Sequence, residues 1–368
     1  MECSKLKGSK EEEGQLSMVV TKTSLSRLGS VDFNDLGFGR VFSDHMFMSS
    51  YENGSWNNPR IVPFGNIDIS PALSTLHYGQ AVFDGLKAYW SVDGKIALFR
   101  PDQYCGRLNR SCARLCIPAV DPDVFMEAVV QLCTIDAEWV PRTRGTSLYI
   151  RPFIFATDNL LGVHVSQTYL FMIITSPVGA YYKEGLNPVK LVTSGEYVRA
   201  AKGGLGEVKT PANYAASLLP AEEAQKRGFT QVLWLDAKEN RYVEEVGTMN
   251  IMFLFDDGIV TPPLDGTILG GITRDTVIRL ARHWGANVSE RPITIDEVLS
   301  RTKDGTLREV FGTGTAAVIS PVGWITHLDE SITVNGGRIG EFSQRLYDEI
   351  TGIQYGARPD PFGWHRTI

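Results

Sequence analysis

A chain of 368 residues, 43% of them hydrophobic, can bury a sizeable core and is long enough for about two domains. Its formal net charge of -6 supplies no basic field, which argues against nucleic acid or an anionic membrane surface and leaves small molecules or another protein as partners. No apolar run approaches the roughly 18 residues that a membrane span needs, and the start MECSKLKGSKEEEGQ lacks the apolar core of a signal peptide.

The first dozen or so residues, rich in Lys and Glu, read as a disordered lead-in within an extension covering 1–35. KIALFR (Lys95 to Arg100) reads as a short strand, followed by amphipathic helices at about 102–116 and 122–139. Five cysteines, an odd number without a CxxC pair, indicate a reducing cytoplasm. Cys105, Cys112 and Cys116 recur at helical spacing, which predicts a buried helix face and no metal, since the six histidines form no ligand cluster. TSLYIRPFIFA and TYLFMIITSPVG read as adjacent strands, the second apolar enough to be buried on both faces. The Gly, Pro and Asn of GAYYKEGLNP mark a linker over 179–188. Beyond it lie strands in PVKLVTSGEYV and TQVLWLDAKENRYVEEVGTMNIMFLFDDGIVTPP, with turns at Lys238 to Asn240 and Asp256 to Gly258. Helices follow from about Thr273 to Trp284 and Gly340 to Tyr347. Strands and helices mix without regular alternation, so α+β lobes fit better than a doubly wound sheet.

The stretch GEVKTPANY, Gly206 to Tyr214, concentrates the chemistry. Thr210 suits an N-cap and Pro211 a first helical position, so a helix should begin directly after Lys209, with Asn213 and Tyr214 in its first turn. Pro220 should kink or restart that helix, and Gly228 should end it. Lys209 has three readings: a solvated lysine, a phosphate-loop lysine, or one that forms a Schiff base with an aldehyde cofactor. Val208 stands where the phosphate loop needs glycine, and the remaining two are separated by whether the chain supplies partners for pyridoxal phosphate. RYVEEVGTMNIMF places Glu244 and Glu245 on opposite faces of a strand, so that one can be solvated while the other points inward and keeps a pyridine nitrogen protonated. GGITR offers Ile272 and Thr273 at a helix start that suits a phosphate, and FGTGTAAV offers a turn, Thr313 to Ala316, whose amides can face an oxyanion.

Taken in order, KxxxNY, EVGTMN, GGITR and FGTGTAAV resemble branched-chain amino acid aminotransferases. FSDHMFM, LHYGQAVFDGLKAY, LFRPDQYCGRLNRSCARL, GTSLYIRPFIFA and SPVGAYY extend the resemblance over Leu36 to Tyr355. It implies a two-domain, mixed α and β enzyme of fold type IV that uses pyridoxal 5'-phosphate. A small N-terminal domain would span 36–178 and a large C-terminal one 189–368. The implied reaction is ping-pong transfer of the amino group of leucine, isoleucine or valine to 2-oxoglutarate.

The resemblance also implies site residues. Lys209 would carry the Schiff base, Tyr214 would bond the phenolic oxygen, and Glu245 would partner the ring nitrogen. Arg107, Ile272, Thr273 and the Thr315 hydroxyl would hold the phosphate. The amides of Thr315 and Ala316 would hold the substrate carboxylate. Phe38, Tyr78, Phe83, Tyr149 and Tyr181 would wall the side chain, with Arg151 for the distal carboxylate of glutamate. A homodimer is implied, its loop at Leu161, Gly162 and Val163 reaching the neighbouring site. Three departures stand out: Pro211 and Ala212 where relatives often have glycines, Asp84 where many have Glu, and Ala317 and Ser320 in place of a redox CxxC. The last argues for a bacterial-type enzyme without thiol regulation. Aminodeoxychorismate lyase and D-amino acid aminotransferase share the fold and are the rival readings.

Overall fold

The computed structural model describes residues 18–179 and 186–368. The lead-in before Met18, Tyr181 and most of the expected linker lie outside the described residues.

Two nine-stranded sheets organise the chain. The first is a largely antiparallel ladder centred on Ser147–Ala156 and Tyr169–Val178, whose ten pairs run from Ser147↔Val178 to Ala156↔Tyr169. The alternation of strand side chains decides what each face does. In SLYIRPFIFA, Leu148, Ile150 and Ile154 are fully buried under the helices Pro101–Arg114 and Pro122–Ile135, joining Leu108, Cys112, Phe125 and Leu132 in one core. Tyr149 and Arg151 therefore face the other way. Asp121 caps the second helix by accepting from the amides of Asp123 and Val124, with Pro122 in the first turn. Cys105, Cys112 and Cys133 are buried as a helical face requires, but Cys116 is exposed. It lies beyond the helix end at Arg114, with φ +55, where the helical period no longer applies.

In the second sheet, six strands close on themselves. Val243–Val246 pairs with Gln231–Leu235 and, through Glu245↔Asn250 and Val246↔Met249, with Met249–Phe255, so the order returns to its start. Leu191, Leu233, Val246, Ile251, Phe253 and Ile325, all essentially inaccessible, fill the enclosed core. Helices Ile272–His283 and Glu341–Gln354 cover the outside. The second of these runs seven residues past the expected Tyr347, because Ile350 and Ile353 continue its buried stripe.

A third apolar cluster joins the halves: Tyr89 and Phe99 of the first sheet pack with Val277, Ile278, Leu346, Ile350, Tyr355 and Trp364. The C-terminal strand His365–Thr367 pairs with Ile96–Phe99, so the tail returns to the first sheet. Among the described residues, no helix is long and apolar enough to cross a membrane.

Candidate active site

A cleft of about 370 Å³ lies where the sheets meet, a size suited to a small ligand. Its floor is Lys209. The residue sits at the seam, its amide donating to Ser111 Oγ at 3.0 Å and its carbonyl accepting from the Phe83 amide at 3.0 Å. The helix Pro211–Ala216 starts where Pro211 predicts, with Thr210 at the N-cap. The Thr210 hydroxyl makes no capping bond, however, and is buried without a partner. Asn213 does the local work, its amide donating to the carbonyls of Leu205 and Val208 at 2.7 and 2.8 Å and so pinning the glycine-rich approach. The helix breaks at Ser217, and Pro220 falls in the first turn of the next helix, Leu218–Lys226, where a missing N–H costs little.

Lys209 Nζ donates to Tyr214 Oη at 2.6 Å and lies 4.9 Å from the Phe83 ring centroid. Burial pulls the ammonium down to about 8, assisted by the Arg107 charge and opposed by Asp84. Burial also pushes the Tyr214 phenol up to about 12, with the Glu245 charge adding to it. The result is an amine much closer to neutrality than an exposed lysine, beside a phenol that keeps its proton.

Glu245, 3% exposed, also lines the cleft. Its Oε1 accepts from the Leu269 amide at 2.8 Å and from Asn250 Nδ2 at 3.2 Å, while Oε2 lies 3.2 Å from Arg199 Nε. Burial raises its pKa, and Arg199 and the Leu269 amide work against that. The Arg199 guanidinium is itself fixed by the carbonyls of Gly206 and Thr267. Glu244 faces a different cavity, as alternation demands, but it is buried and not solvated, and desolvation pushes its carboxyl up to about 7.

Arg107, from the helix Pro101–Arg114, lines the same cleft and is held by Asp84: Nε to Oδ2 at 2.9 Å and Nη2 to Oδ1 at 2.6 Å. Burial works against the guanidinium charge, but Asp84 outweighs it and holds Arg107 above its ordinary pKa. Two of its nitrogens are thus committed, and Nη1 lies at the cleft, 3.4 Å from the Gly270 carbonyl. Ile272 and Thr273 open the adjacent helix, whose first N–H groups have no intrahelical acceptor. Gly271 before them admits no side chain, because a Cβ there would meet Asn250 Oδ1. Thr315 Oγ1 lies 3.2 Å from Tyr104 Oη, and Lys87 Nζ donates to the Ala316 carbonyl at 2.9 Å.

The side-chain wall is aromatic. Phe38 and Tyr149 pack at 5.0 Å, Phe83 and Tyr214 at 4.9 Å. Arg151 Nη2 donates to Tyr149 Oη at 2.9 Å, and its guanidinium lies 4.7 Å from the Phe83 centroid.

Lys209, Tyr214, Glu245, Arg107, Ile272, Thr273, Thr315, Ala316, Phe38, Phe83, Tyr149 and Arg151 all line this one cleft. Tyr78 does not: it ends the short helix Ser74–Tyr78, 44% exposed and outside the lining. Val163 is 88% exposed on its loop and also lies outside the cleft of its own chain. Sequence reasoning missed the supporting residues Arg199, Asn250 and Lys87, and assigned Asp84 no role. Only Asp84 carried a signal, an acid flanked by Phe83 and Gly85 in an otherwise apolar stretch, although its partner Arg107 lies 23 positions on.

The donor set fits pyridoxal phosphate. A desolvated amine, a buried carboxylate with its own counter-charge, and an arginine edge beside free helix amides are what its aldehyde, ring nitrogen and phosphate require.

Comparison with known proteins agrees with this geometry. Residues 81–325 match the family model described as amino-transferase class IV. "Branched-chain-amino-acid aminotransferase 2" of Bacillus subtilis (strain 168) is 55% identical over 334 residues, covering 90% of this chain and 92% of that one. Among solved structures, the branched-chain amino acid aminotransferase of Escherichia coli superposes with a TM-score of 0.73 at 30% identity, covering 88% of this chain and 98% of its own. The branched-chain amino acid aminotransferase of Thermobaculum terrenum, in its PLP-form (holo-form), superposes with a TM-score of 0.71 at 25% identity, covering 87% of this chain and 97% of its own.

Proposed function

The chain belongs to the class IV amino-transferases and is a branched-chain amino acid transaminase, and we propose that the cleft residues divide the reaction as follows. Pyridoxal phosphate, when bound, supplies an aldehyde that takes up the amine and a ring that stabilises the charge left at the substrate Cα. Lys209 holds the cofactor at rest. Its amine, pulled down to about 8, would be suited to move the proton at the substrate Cα. Glu245, whose burial Arg199 opposes, would hold a proton on the ring nitrogen. Arg107 and the amides of Ile272 and Thr273 hold the phosphate, with the Thr315 hydroxyl. Tyr214 orients Lys209 and the phenolic oxygen.

The amides of Thr315 and Ala316 bind the α-carboxylate, and Phe38, Phe83 and Tyr149 enclose the aliphatic group. An apolar wall distinguishes aliphatics by only about 1–3 kcal/mol per methylene, so leucine, isoleucine and valine are all accepted. Arg151 meets the distal carboxylate when 2-oxoglutarate takes the amine to give glutamate. The exposed apolar side chains of Leu160, Leu161, Val163 and Val165 support a homodimer in which this loop covers the neighbouring site. The free cysteines support a cytoplasmic location.

The observation that carries the assignment is the Lys209 amine, desolvated and 2.6 Å from Tyr214, in one cleft with Glu245 and Arg107. Purified protein should be yellow with pyridoxal phosphate, change its absorption on addition of L-leucine and recover with 2-oxoglutarate. Lys209→Ala should abolish the bound colour. A response to D-leucine in place of L-leucine would establish the D-amino acid rival and overturn the assignment.

A further inference from the structure

The turn Thr315 to Ala317 joins two strands of the second sheet, Leu307–Gly314 and Val318–His327, yet it is held from the first. The strand ladder ends at Gly314↔Val318, and within the turn itself the Ile319 amide donates to the Ala317 carbonyl. Val318 has φ +62. A β-branched residue in the left-handed region is strained and persists only where the surroundings over-determine it. Two contacts from the other half supply that constraint. Tyr104 Oη, on the helix Pro101–Arg114, lies 3.2 Å from Thr315 Oγ1. Lys87, on the strand Leu86–Trp90 directly across from Tyr149, donates from Nζ to the Ala316 carbonyl at 2.9 Å.

Lys87 is an unusual choice for a structural tie. Among the described residues no carboxylate pairs with it, and burial pulls its ammonium down to about 8, so the charge it carries below that pH stands un-neutralised beside the Ala316 carbonyl. A neutral donor would brace a carbonyl at lower cost. A positive charge there is useful if the front of the turn receives an anion.

We propose that Lys87 is a positioning residue for the substrate α-carboxylate. By holding the Ala316 carbonyl it fixes the peptide that joins Ala316 to Ala317 and so the closing side of the turn that presents the amides of Thr315 and Ala316, and its charge adds to their field. The inference rests on the assignment of those amides to the α-carboxylate. Lys87 touches neither substrate nor cofactor and acts through the turn. The contact also spans the two halves of the molecule, so the carboxylate site exists only while the sheets stay in their present relation.

The test uses holoenzyme of the wild type, Lys87→Met and Lys87→Arg, titrated with 4-methylpentanoate, which has the carboxylate but no amine, and with 3-methylbutylamine, which has the amine but no carboxylate. Binding is read from the absorption of the bound cofactor. Lys87→Met should weaken 4-methylpentanoate by about ten-fold or more, the loss expected for a hydrogen bond from a charged donor. It should raise KM for L-leucine in similar proportion, with kcat changed by less than about three-fold, and leave 3-methylbutylamine and the cofactor spectrum as in the wild type. Lys87→Arg, which keeps a charged donor, should recover most of the carboxylate affinity. Equal weakening of both ligands, no weakening of either, or no recovery with arginine would reduce Lys87 to a bridge between the sheets and overturn the proposal. A wild-type enzyme indifferent to 4-methylpentanoate would instead overturn the assignment of the turn itself.

Discussion

Replacing Asp84 by asparagine preserves the shape of the side chain and removes one charge from a buried pair. Asp84 is fully inaccessible and Arg107 is 5% exposed, and two hydrogen bonds of 2.6 and 2.9 Å join them. Leaving a buried guanidinium without its counter-charge costs about 3–5 kcal/mol. At about 2.1 cal/mol/K of unfolding entropy per residue, a chain of this length loses roughly 0.8 kcal/mol per degree, so Tm of the cofactor-free protein should fall by roughly 4–6 °C. Inorganic phosphate should narrow that gap, because a dianion at the Arg107 edge supplies the charge that the variant lacks. Linkage contributes about 2.7 kcal/mol to any form at a phosphate concentration a hundred times its Kd, and the variant should bind at least as tightly as the wild type. The assay is differential scanning calorimetry of both proteins, without phosphate and with it at saturation. A variant melting within about 1 °C of the wild type without phosphate, or a gap that widens when phosphate is added, would refute the assignment of Arg107 and Asp84 to an anion site.

Three further outcomes are expected. Burial disfavours the ammonium of Lys209, so its amine should lose the proton as pH rises through about 8; near neutrality its neutral fraction exceeds that of an ordinary lysine by roughly 300-fold. Stopped-flow capture of pyridoxal phosphate by the apoenzyme should accelerate through that midpoint and then level off, and acceleration continuing to about pH 10 would show a solvated lysine. Gly85→Ala should drive a Cβ into the Tyr149 hydroxyl and displace Tyr149 from Arg151; kcat/KM for leucine should fall on the order of a hundred-fold while the Lys209 midpoint is retained. Arg151→Gln should weaken the glutamate half-reaction by about 10- to 150-fold and the leucine half-reaction by less than about three-fold, as measured in separate single-turnover experiments. Equal loss in both would remove Arg151 from distal-carboxylate recognition.

Legibility in the sequence followed the range of each interaction. The helix start after Lys209 was readable because Pro211 restricts its own backbone, and Tyr149 and Arg151 shared a face because strand side chains alternate. Where a local rule was stretched, the structure departed from it. Thr210 occupies the N-cap position but its hydroxyl does not cap, and the Asn213 backbone amide donates to the Thr210 carbonyl at 3.2 Å instead. Alternation allows one carboxylate of the pair Glu244 and Glu245 to be solvated, yet the strand Val243–Val246 is buried on both faces. Tyr78, which the resemblance implies for the wall, ends a five-residue helix, 44% exposed and outside the lining of its own chain's cleft.

Local chemistry along the chain therefore settled which groups are present and in what order: the amine, its neighbouring phenol, the acidic strand, the helix start and the small-residue turn. Which group answers which was left to the folded chain. Arg199 reaches Glu245 across 46 positions and Lys87 reaches Ala316 across 229. An ion pair or hydrogen bond depends on a separation of a few ångströms, and no pattern of neighbouring residues encodes that separation once two sheets must close against each other. The reactive lysine is thus written in one short segment, while the low pKa that makes it reactive belongs to the cleft.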